Sequence, residues 1–196
     1  SCGTTLVREE DEAAWRCPNV ECKAQILQRL IFHVSKDAMD IDGFGEKYIL
    51  RFYELGWIKN MADLYQLDYD KIAALEGFGK KSADKLKAAI DKAKSNPIHR
   101  LLHSLSIHHV GQRASKLITE KINHLLDLAG WSTEDYIAIK DIGPVVAQNA
   151  IKWFSDEKNI AMLREMEALG VNLTQSPQDK PKKLISDGVF SGKTIL

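Results

Sequence analysis

Four short segments of the chain share one pattern: an apolar residue, any residue, a turn residue, a second apolar residue and a glycine. Each lies between two helical patterns, and its glycine opens the second helix. Amide N–H groups at a helix N-terminus have no partner inside the helix and, together with the helix dipole, they attract anions. Backbone without a side chain can approach a phosphate closely. The pattern therefore predicts phosphate binding by segments that we name hairpins one to four, residues 41–45, 75–79, 107–111 and 139–143.

The final glycines of the hairpins stand at positions 45, 79, 111 and 143, and are therefore 34, 32 and 32 residues apart. A period in this range is typical of a repeated supersecondary unit. A helix cap joining two packed helices would explain one hairpin, but four copies favour the tandem helix-hairpin-helix motif of DNA-binding proteins. The second half also repeats the first, since residues 136–139 correspond to 72–75. We predict a mainly α fold with four motifs in two pseudo-symmetric pairs over residues 26–173.

The residues at the hairpins differ in how well they suit an anion. Gly43 and Gly77 occupy the turn position of the first two hairpins, whereas His109 and Asp141 occupy it in the others. We expect the last two turns either to be more restricted in residue choice or to differ in shape. Pro144 removes one N–H donor and no basic residue follows it, so we expect hairpin four to pack without binding. The predicted DNA-binding residues are Gly43, Gly45, Lys47, Gly77, Gly79, Lys80, Lys81, Gly111 and Arg113.

The charge is balanced overall but unevenly distributed. The chain has 27 Lys and Arg against 27 Asp and Glu, which on its face argues against a nucleic-acid partner. Residues 77–122, however, carry ten basic against three acidic residues, and residues 123–176 carry four against eight. Binding depends on the local field, so hairpins two and three lie in a region suited to DNA. A solvated helix surface is the alternative explanation for the lysines further along the helix.

All three cysteines lie near the start of the chain, at Cys2, Cys17 and Cys22. Structural zinc is held by four ligands in a tetrahedron, commonly cysteine thiolates. A glycine follows Cys2, as in a zinc knuckle, and the residues between the cysteines can form two short strands around an acidic turn. A module this small would need the metal to fold. We predict a zinc-ribbon-like module over residues 1–25, with these three cysteines as metal ligands.

Three cysteines leave the tetrahedron one ligand short. The chain does not begin with Met, and we expect an excised fragment whose missing ligand is the first cysteine of a knuckle completed by Cys2. His33 is the weaker alternative, because it lies in a helical pattern that predicts an ordinary, partly buried histidine. Disulfide pairing is disfavoured by the odd number of cysteines and by the reducing compartment of a DNA-associated protein.

The remaining sequence narrows the possible functions. No apolar run approaches the ~20 residues needed to cross a bilayer, and the first residues are not a secretory signal. No cluster of acid, base and nucleophile indicates catalysis by this chain alone. Residues 174–185 have the polar, proline-bearing composition of a linker, and residues 186–196 have that of a turn leading into a strand.

Longer motifs surround the hairpins and cysteines: Cys2-Gly3, Arg16-Cys17-Pro18-Asn19 with Cys22 and Ala24-Gln25, Met39-Asp40-Ile41-Asp42-Gly43-Phe44-Gly45-Glu46-Lys47, Ala62-Asp63-Leu64-Tyr65, Leu75-Glu76-Gly77-Phe78-Gly79-Lys80-Lys81-Ser82-Ala83, His109-Val110-Gly111 and Ile142-Gly143-Pro144-Val145-Val146-Ala147. In this order, and over the whole chain, they resemble the C-terminal part of a bacterial NAD-dependent DNA ligase. Residues 186–196 resemble the first strand of that family's terminal BRCT domain.

The resemblance implies the DNA-binding part of an enzyme that seals nicks in duplex DNA. It implies a structural zinc, and a helix-hairpin-helix domain that grips the duplex phosphate backbone without sequence specificity. NAD and magnesium would be bound outside this chain, by upstream domains whose nucleophilic lysine lies in a Lys-x-Asp-Gly motif. That motif is absent here, so the chain should be inactive alone.

The implied partners are nicked double-stranded DNA and the upstream adenylation and oligonucleotide-binding domains of the same chain. The implied protein is monomeric, cytoplasmic, associated with the nucleoid and independent of membranes. Two alternatives stay open on the residues alone. One is the helix-hairpin-helix region of a repair nuclease or a branched-DNA-processing protein, and the other is a helical scaffold for protein interactions.

Overall fold

The computed structural model describes residues 2–8 and 13–180. Over these residues the fold is helical, and no strand exceeds an isolated bridge. Two short 3-10 helices span Ala62–Gln66 and Leu125–Gly130. The α-helices are α1 (Lys23–Val34), α2 (Glu46–Glu54), α3 (Tyr69–Ala73), α4 (Lys80–Ala93), α5 (Ile98–Ser104), α6 (Gln112–Thr119), α7 (Thr133–Ile137), α8 (Pro144–Phe154) and α9 (Glu157–Ala168).

The order of elements repeats, as the hairpin spacing predicts. Each half of the domain has a helix pair, a 3-10 helix and a second helix pair, and each hairpin joins the two helices of one pair. Helix α9 follows both halves and packs against both 3-10 helices. Gln66 donates to Glu165 of α9 over 2.9 Å, and the His124 ring lies 2.8 Å from Glu167 of the same helix. The predicted mainly α, tandem architecture is confirmed.

Apolar spacing and caps explain where the helices form. Helix α4 buries Ala83, Leu86, Ile90 and Ala93, which recur every three or four residues and so form one stripe. Short helices depend more on their caps: Ser132 and Asp135 form a capping box at the start of α7. Buried apolar residues from both halves form one continuous core, which extends from α1 to the segment after α9.

All four hairpin turns have the same backbone form. In each, the amide of the fourth residue donates to the carbonyl of the first, over 3.0–3.3 Å. The third residue has positive φ in every case, at 81° and 82° for Gly43 and Gly77 and at 62° and 71° for His109 and Asp141. Asp and His tolerate this left-handed region better than most residues with a side chain. The alternative that the last two turns differ in shape is therefore wrong.

The chain after α9 turns back onto the domain. Leu173 is buried, and its carbonyl accepts from the Leu125 amide over 2.8 Å. The Gln175 amide donates to the Asn123 carbonyl over 2.8 Å. Asp179 is only 3% exposed and accepts from the Ile98 amide and, over 2.9 Å, from the His99 amide at the start of α5. The linker composition therefore does not describe residues 174–180, and we name residues 171–179 the closing segment.

The remaining sequence predictions concern the two ends of the chain. In the N-terminal module, the two predicted strands reduce to one antiparallel bridge between Val7 and Arg16 among the described residues. The acidic turn and the BRCT-like strand at residues 186–196 lie outside the described residues. None of the described helices has the length and apolarity that crossing a membrane would require.

Candidate nucleic-acid interface and zinc site

The final glycine of each hairpin caps the helix that follows it without any side-chain hydrogen bond. These glycines are Gly45, Gly79, Gly111 and Gly143, and all four have negative φ values that other residues also adopt. A Cβ built on any of them meets no atom within 4 Å. Neither the backbone conformation nor packing within the described chain requires glycine here. The space beside these helix N-termini is open, as the close approach of a ligand would need.

The cations near the glycines stand at equivalent places. Lys47, Lys81 and Arg113 each lie two residues after a hairpin's final glycine, and Val145 takes that place in hairpin four. Lys80 and Lys81 fill the first turn of α4, which has no acidic residue. Positive charge is unfavourable at a helix N-terminus, where the dipole is itself positive. An anion bound there would relieve this repulsion, so the sequence of α4 favours a bound phosphate over an empty helix end.

Gly43 and Gly77, which the sequence predicts to bind DNA, are needed for the conformation of their hairpins. Both have the left-handed φ that favours glycine, and a Cβ on Gly43 would also lie 3.2 Å from the Leu86 side chain. Hairpins one and two lie side by side, since Arg51 of α2 donates to the Glu76 carbonyl over 2.9 Å and lies 5.7 Å from the Phe78 ring. The structure thus places hairpins one and two beside each other.

Arg113 differs from the lysines because it is engaged within the protein. Its Nη2 lies 2.5 Å from Oδ2 of Asp141 in hairpin four. Lys47, Lys80 and Lys81 form no ion pair with any described residue. Hairpin three also carries His108 and His109, whose ring centroids are 3.9 Å apart. The histidine pair was not on the list of predicted residues, although two adjacent imidazoles at a turn were visible in the sequence.

The three cysteines converge as a metal site requires. Their Sγ atoms all lie within 4.8 Å of one another, and those of Cys2 and Cys17 are 3.5 Å apart. Two ligands of a tetrahedral zinc with Zn–S bonds of about 2.3 Å would be about 3.8 Å apart, so the spacing fits. Cys22 is buried at the start of α1, and Gln25 of that helix donates to the Cys17 carbonyl.

The surroundings shift the pKa values of two of the thiols in opposite directions. Hydrogen bonds with the Thr4 side chain and backbone, and then with Cys17 and Cys22, lower the pKa of Cys2 to about 6. A backbone hydrogen bond from Asn19 lowers the pKa of Cys17, but burial and the contacts with Cys2 and Cys22 outweigh it and raise that pKa. The thiolate form that binds zinc is therefore accessible near neutral pH at Cys2. No fourth ligand lies with these thiols among the described residues.

His33 is not that fourth ligand. Its side chain is fully buried in the domain core, and its Nε2 lies 2.8 Å from the Tyr65 hydroxyl. Burial lowers the pKa of His33 to about 3, so the ring stays neutral in the folded protein. The structure excludes the alternative metal ligand and shows a core histidine that is more deeply buried than the sequence predicts.

Three family models match the chain. The NAD-dependent DNA ligase C4 zinc finger domain matches residues 1–24. The SAM-like helix-hairpin-helix tandem matches residues 35–92, which contain hairpins one and two. The helix-hairpin-helix motif matches residues 100–163, which contain hairpins three and four. These matches correspond to the thiol cluster and to the two halves of the repeat.

Curated relatives that match the chain are named DNA ligase. The chain is 44% identical to a DNA ligase of Persephonella marina over 196 residues, 39% identical to one of Sulfurihydrogenibium azorense over 193, and 40% identical to one of Bacillus subtilis over 195. The matches cover 100%, 98% and 100% of this chain but 27%, 28% and 29% of the relatives. The chain thus spans less than a third of their length. The chain is therefore similar to one part of these DNA ligases, and the models that match it are a DNA ligase zinc finger and helix-hairpin-helix motifs.

Proposed function

We propose that the chain is the DNA-binding part of an NAD-dependent DNA ligase that seals nicks in duplex DNA. The observation that carries the proposal is the set of open, glycine-capped helix N-termini, where neither packing nor backbone strain explains the glycine. Two of the hairpins are followed, in the first turn of the next helix, by lysines that form no ion pair with any described residue. Phosphate oxygens would accept hydrogen bonds from the amides after Gly45, Gly79 and Gly111, and Lys47, Lys80 and Lys81 would supply the charge.

Contacts of this kind fix the position of the protein without reading sequence. Backbone amides and lysines bind phosphates, which are the same at every base pair. We therefore propose binding to the duplex backbone without sequence specificity, with the catalytic steps carried out by other parts of the same protein. NAD and magnesium would be bound there, so this chain alone would not seal nicks. The proposed protein is a monomer that works in the cytoplasm on nicked chromosomal DNA.

The cysteine cluster has a structural role in this proposal. Cys2, Cys17 and Cys22 would hold a zinc together with one further ligand, as the four-cysteine name of the matching family model indicates. A closed site of this kind supplies folding energy and no catalysis. The metal would hold the N-terminal module, which is otherwise mostly exposed, against the start of α1.

Binding to a nicked duplex, followed by fluorescence anisotropy across a salt series, tests the proposal. The test variant is Lys80→Glu with Lys81→Glu, and the control is Lys87→Glu with Lys92→Glu, which makes the same charge change further along α4. Acidic residues at a helix N-terminus favour the helix, so a loss of binding by the test variant would not reflect unfolding. We expect at least a tenfold loss at low salt, and a log–log salt slope that flattens by about 0.9 for each phosphate contact removed.

Equal losses in the two variants would mean that α4 is only a solvated basic surface. No binding of the unmodified chain to duplex DNA at low salt would favour the protein-interaction scaffold. A clear preference for branched over nicked DNA would favour a branch-processing protein. Intact duplex and single-stranded DNA of the same sequence complete the comparison.

A further inference from the structure

We propose that Asp141 competes with DNA phosphate for Arg113, so that hairpins three and four hold DNA more weakly than hairpins one and two. The inference rests on the proposed DNA binding and concerns how that binding is divided between the two halves of the domain. Its basis is the ion pair between Arg113 Nη2 and Asp141 Oδ2, at 2.5 Å.

The pair joins two hairpins that each have a role in the repeat. Arg113 lies in the first turn of α6, directly after hairpin three, at the place that Lys47 and Lys81 occupy after hairpins one and two. Asp141 is the left-handed turn residue of hairpin four, at the place of Gly43 and Gly77. The carboxylate thus comes from the hairpin whose following helix has Val145 at the place of Lys47 and Lys81, and it neutralises the cation after the neighbouring hairpin.

In the first half of the domain, the contact between the helix after one hairpin and the next hairpin involves other positions and no charge on the turn. There Arg51 of α2 donates to the backbone carbonyl of Glu76 in hairpin two. The charges of Lys47 and Lys81 remain available, because neither forms an ion pair with a described residue. The two halves share a fold but differ in the net charge that they offer to a phosphate.

The exposure of the pair makes an exchange feasible. The Arg113 side chain is 80% exposed and that of Asp141 is 44% exposed, so water and salt weaken their attraction. A phosphate at the N-terminus of α6 would take the place of Asp141 as the partner of Arg113. The carboxylate would then lie unpaired beside a second negative charge, which lowers the affinity of this half of the domain.

The experiment compares Asp141→Asn with Glu134→Gln in the same chain. Glu134 is an exposed acid on α7 without an ion pair to a described residue, so both substitutions remove one negative charge. Asn tolerates the left-handed conformation, and Asp141→Gly, which copies Gly77, is a second variant that should fold. Thermal melts followed by circular dichroism confirm the fold of each variant. Anisotropy with a nicked duplex across a salt series measures binding.

We expect Asp141→Asn to bind about two- to fivefold more tightly at low salt, the range that an exposed ion pair implies. Its salt slope should steepen by about 0.9, because one more cation then neutralises a phosphate. Glu134→Gln should have a smaller effect on both the affinity at low salt and the salt slope. In an Arg113→Gln background the gain from Asp141→Asn should disappear, because Asp141 acts through Arg113.

Three results would overturn the inference. Equal effects of Asp141→Asn and Glu134→Gln would make the ion pair a contact without influence on binding. A gain that persists in the Arg113→Gln background would mean that Asp141 repels DNA directly. Failure of the unmodified chain to bind duplex DNA, or no loss from the Lys80 and Lys81 substitutions, would remove the proposed function as well. The Lys80 and Lys81 variant therefore separates the failure of this inference from the failure of the proposed function.

Discussion

Gly79 has space around it that nothing in the described chain fills. Its φ of −165° is extended backbone open to any residue, and a Cβ there would meet no atom within 4 Å. Gly43 is different, because its positive φ and the Leu86 side chain both restrict the position. The two glycines of a hairpin therefore have separate roles. The first allows the left-handed turn, and the last leaves open space beside the N-terminus of the next helix, where a ligand can approach.

The first prediction concerns Gly79→Ala, with Gly143→Ala as its control. Stability should change by less than about 1 kcal/mol in both, because lower entropy of the unfolded chain offsets the poorer capping by alanine. Binding to a nicked duplex should weaken at least fivefold for Gly79→Ala, since the methyl group occupies the space of the phosphate. Gly143→Ala should bind normally, because Pro144 removes one N–H donor and Val145 stands where hairpins one to three are followed by a cation. Urea titrations and anisotropy measure the two quantities, and equal binding by both variants would contradict the prediction.

The sequence patterns identified the turn residue of every hairpin, but they predicted the backbone conformation of the turn in only two hairpins. For Gly43 and Gly77 a left-handed turn follows from the residue type. His109 and Asp141 have a side chain and adopt the same conformation, because the packed helices on either side set the path of the turn. The partner of Arg113 could not be predicted either, because the ion pair joins residues 28 apart and depends on how two hairpins sit together.

The closing segment is an element without regular secondary structure that nevertheless caps helix α5. Asp179 caps α5 from 80 residues away and also accepts from the amide and hydroxyl of Ser176. Burial alone would raise the pKa of Asp179, but hydrogen bonds from His99 and Ser176 hold it well below its usual range. Helix α5 has no capping side chain of its own, since Pro97 precedes it. The closing segment thus supplies the N-terminal cap that the sequence next to α5 lacks.

The second prediction is that Asp179→Asn destabilises the domain by about 1–3 kcal/mol, the cost of leaving buried donors poorly paired. The folded pKa of Asp179 is depressed, so its contribution is present above the unfolded value of about 3.9 and is lost as the pH falls below it. The difference between the unmodified chain and the variant should therefore shrink on acidification from pH 6 to pH 3. Urea titrations at several pH values measure it, and Gln178→Ala in the same segment is the control.

Composition described this element incorrectly for a physical reason. A polar stretch with proline is typical of a linker because it offers little apolar surface to bury. Here the segment is held by backbone hydrogen bonds and one carboxylate, and its partners at Lys94, Asn123 and Leu125 are distant in sequence. Patterns of local composition do not contain such contacts. The helical patterns on both sides of each hairpin, by contrast, were predicted, because periodicity and caps are local.

At the scale of the whole molecule, the two halves and the N-terminal module depend on different forces. The halves share one apolar core, which α9 completes by contacting both 3-10 helices. The module has exposed apolar residues at Leu6, Val7, Trp15 and Val20, and little core of its own. Its order must then come from the thiol cluster and from polar contacts such as that of Arg29 with the Val20 carbonyl.

The third prediction is that Cys17→Ser abolishes stoichiometric zinc binding and leaves the main unfolding transition within about 1 kcal/mol of the unmodified chain. The physical reason is that the helical core begins at Leu27 and excludes the metal site. Metal analysis of the purified protein and urea titration measure the two effects. Val20→Ser alters the same exposed loop without removing a thiolate and should retain zinc. Full zinc retention by Cys17→Ser would show that other residues hold the metal.

The closing segment also has a consequence for the rate at which the protein unfolds. Its hydrogen bonds join residues as far apart as 80 and 56 positions, whereas each helix-hairpin-helix unit is made of local contacts. Local units with low contact order form early, and we expect the segment to dock after the transition state for folding. Interactions absent from that transition state govern the unfolding rate. We therefore expect contacts of residues 171–179 to slow unfolding of the domain while having little influence on the rate at which it folds.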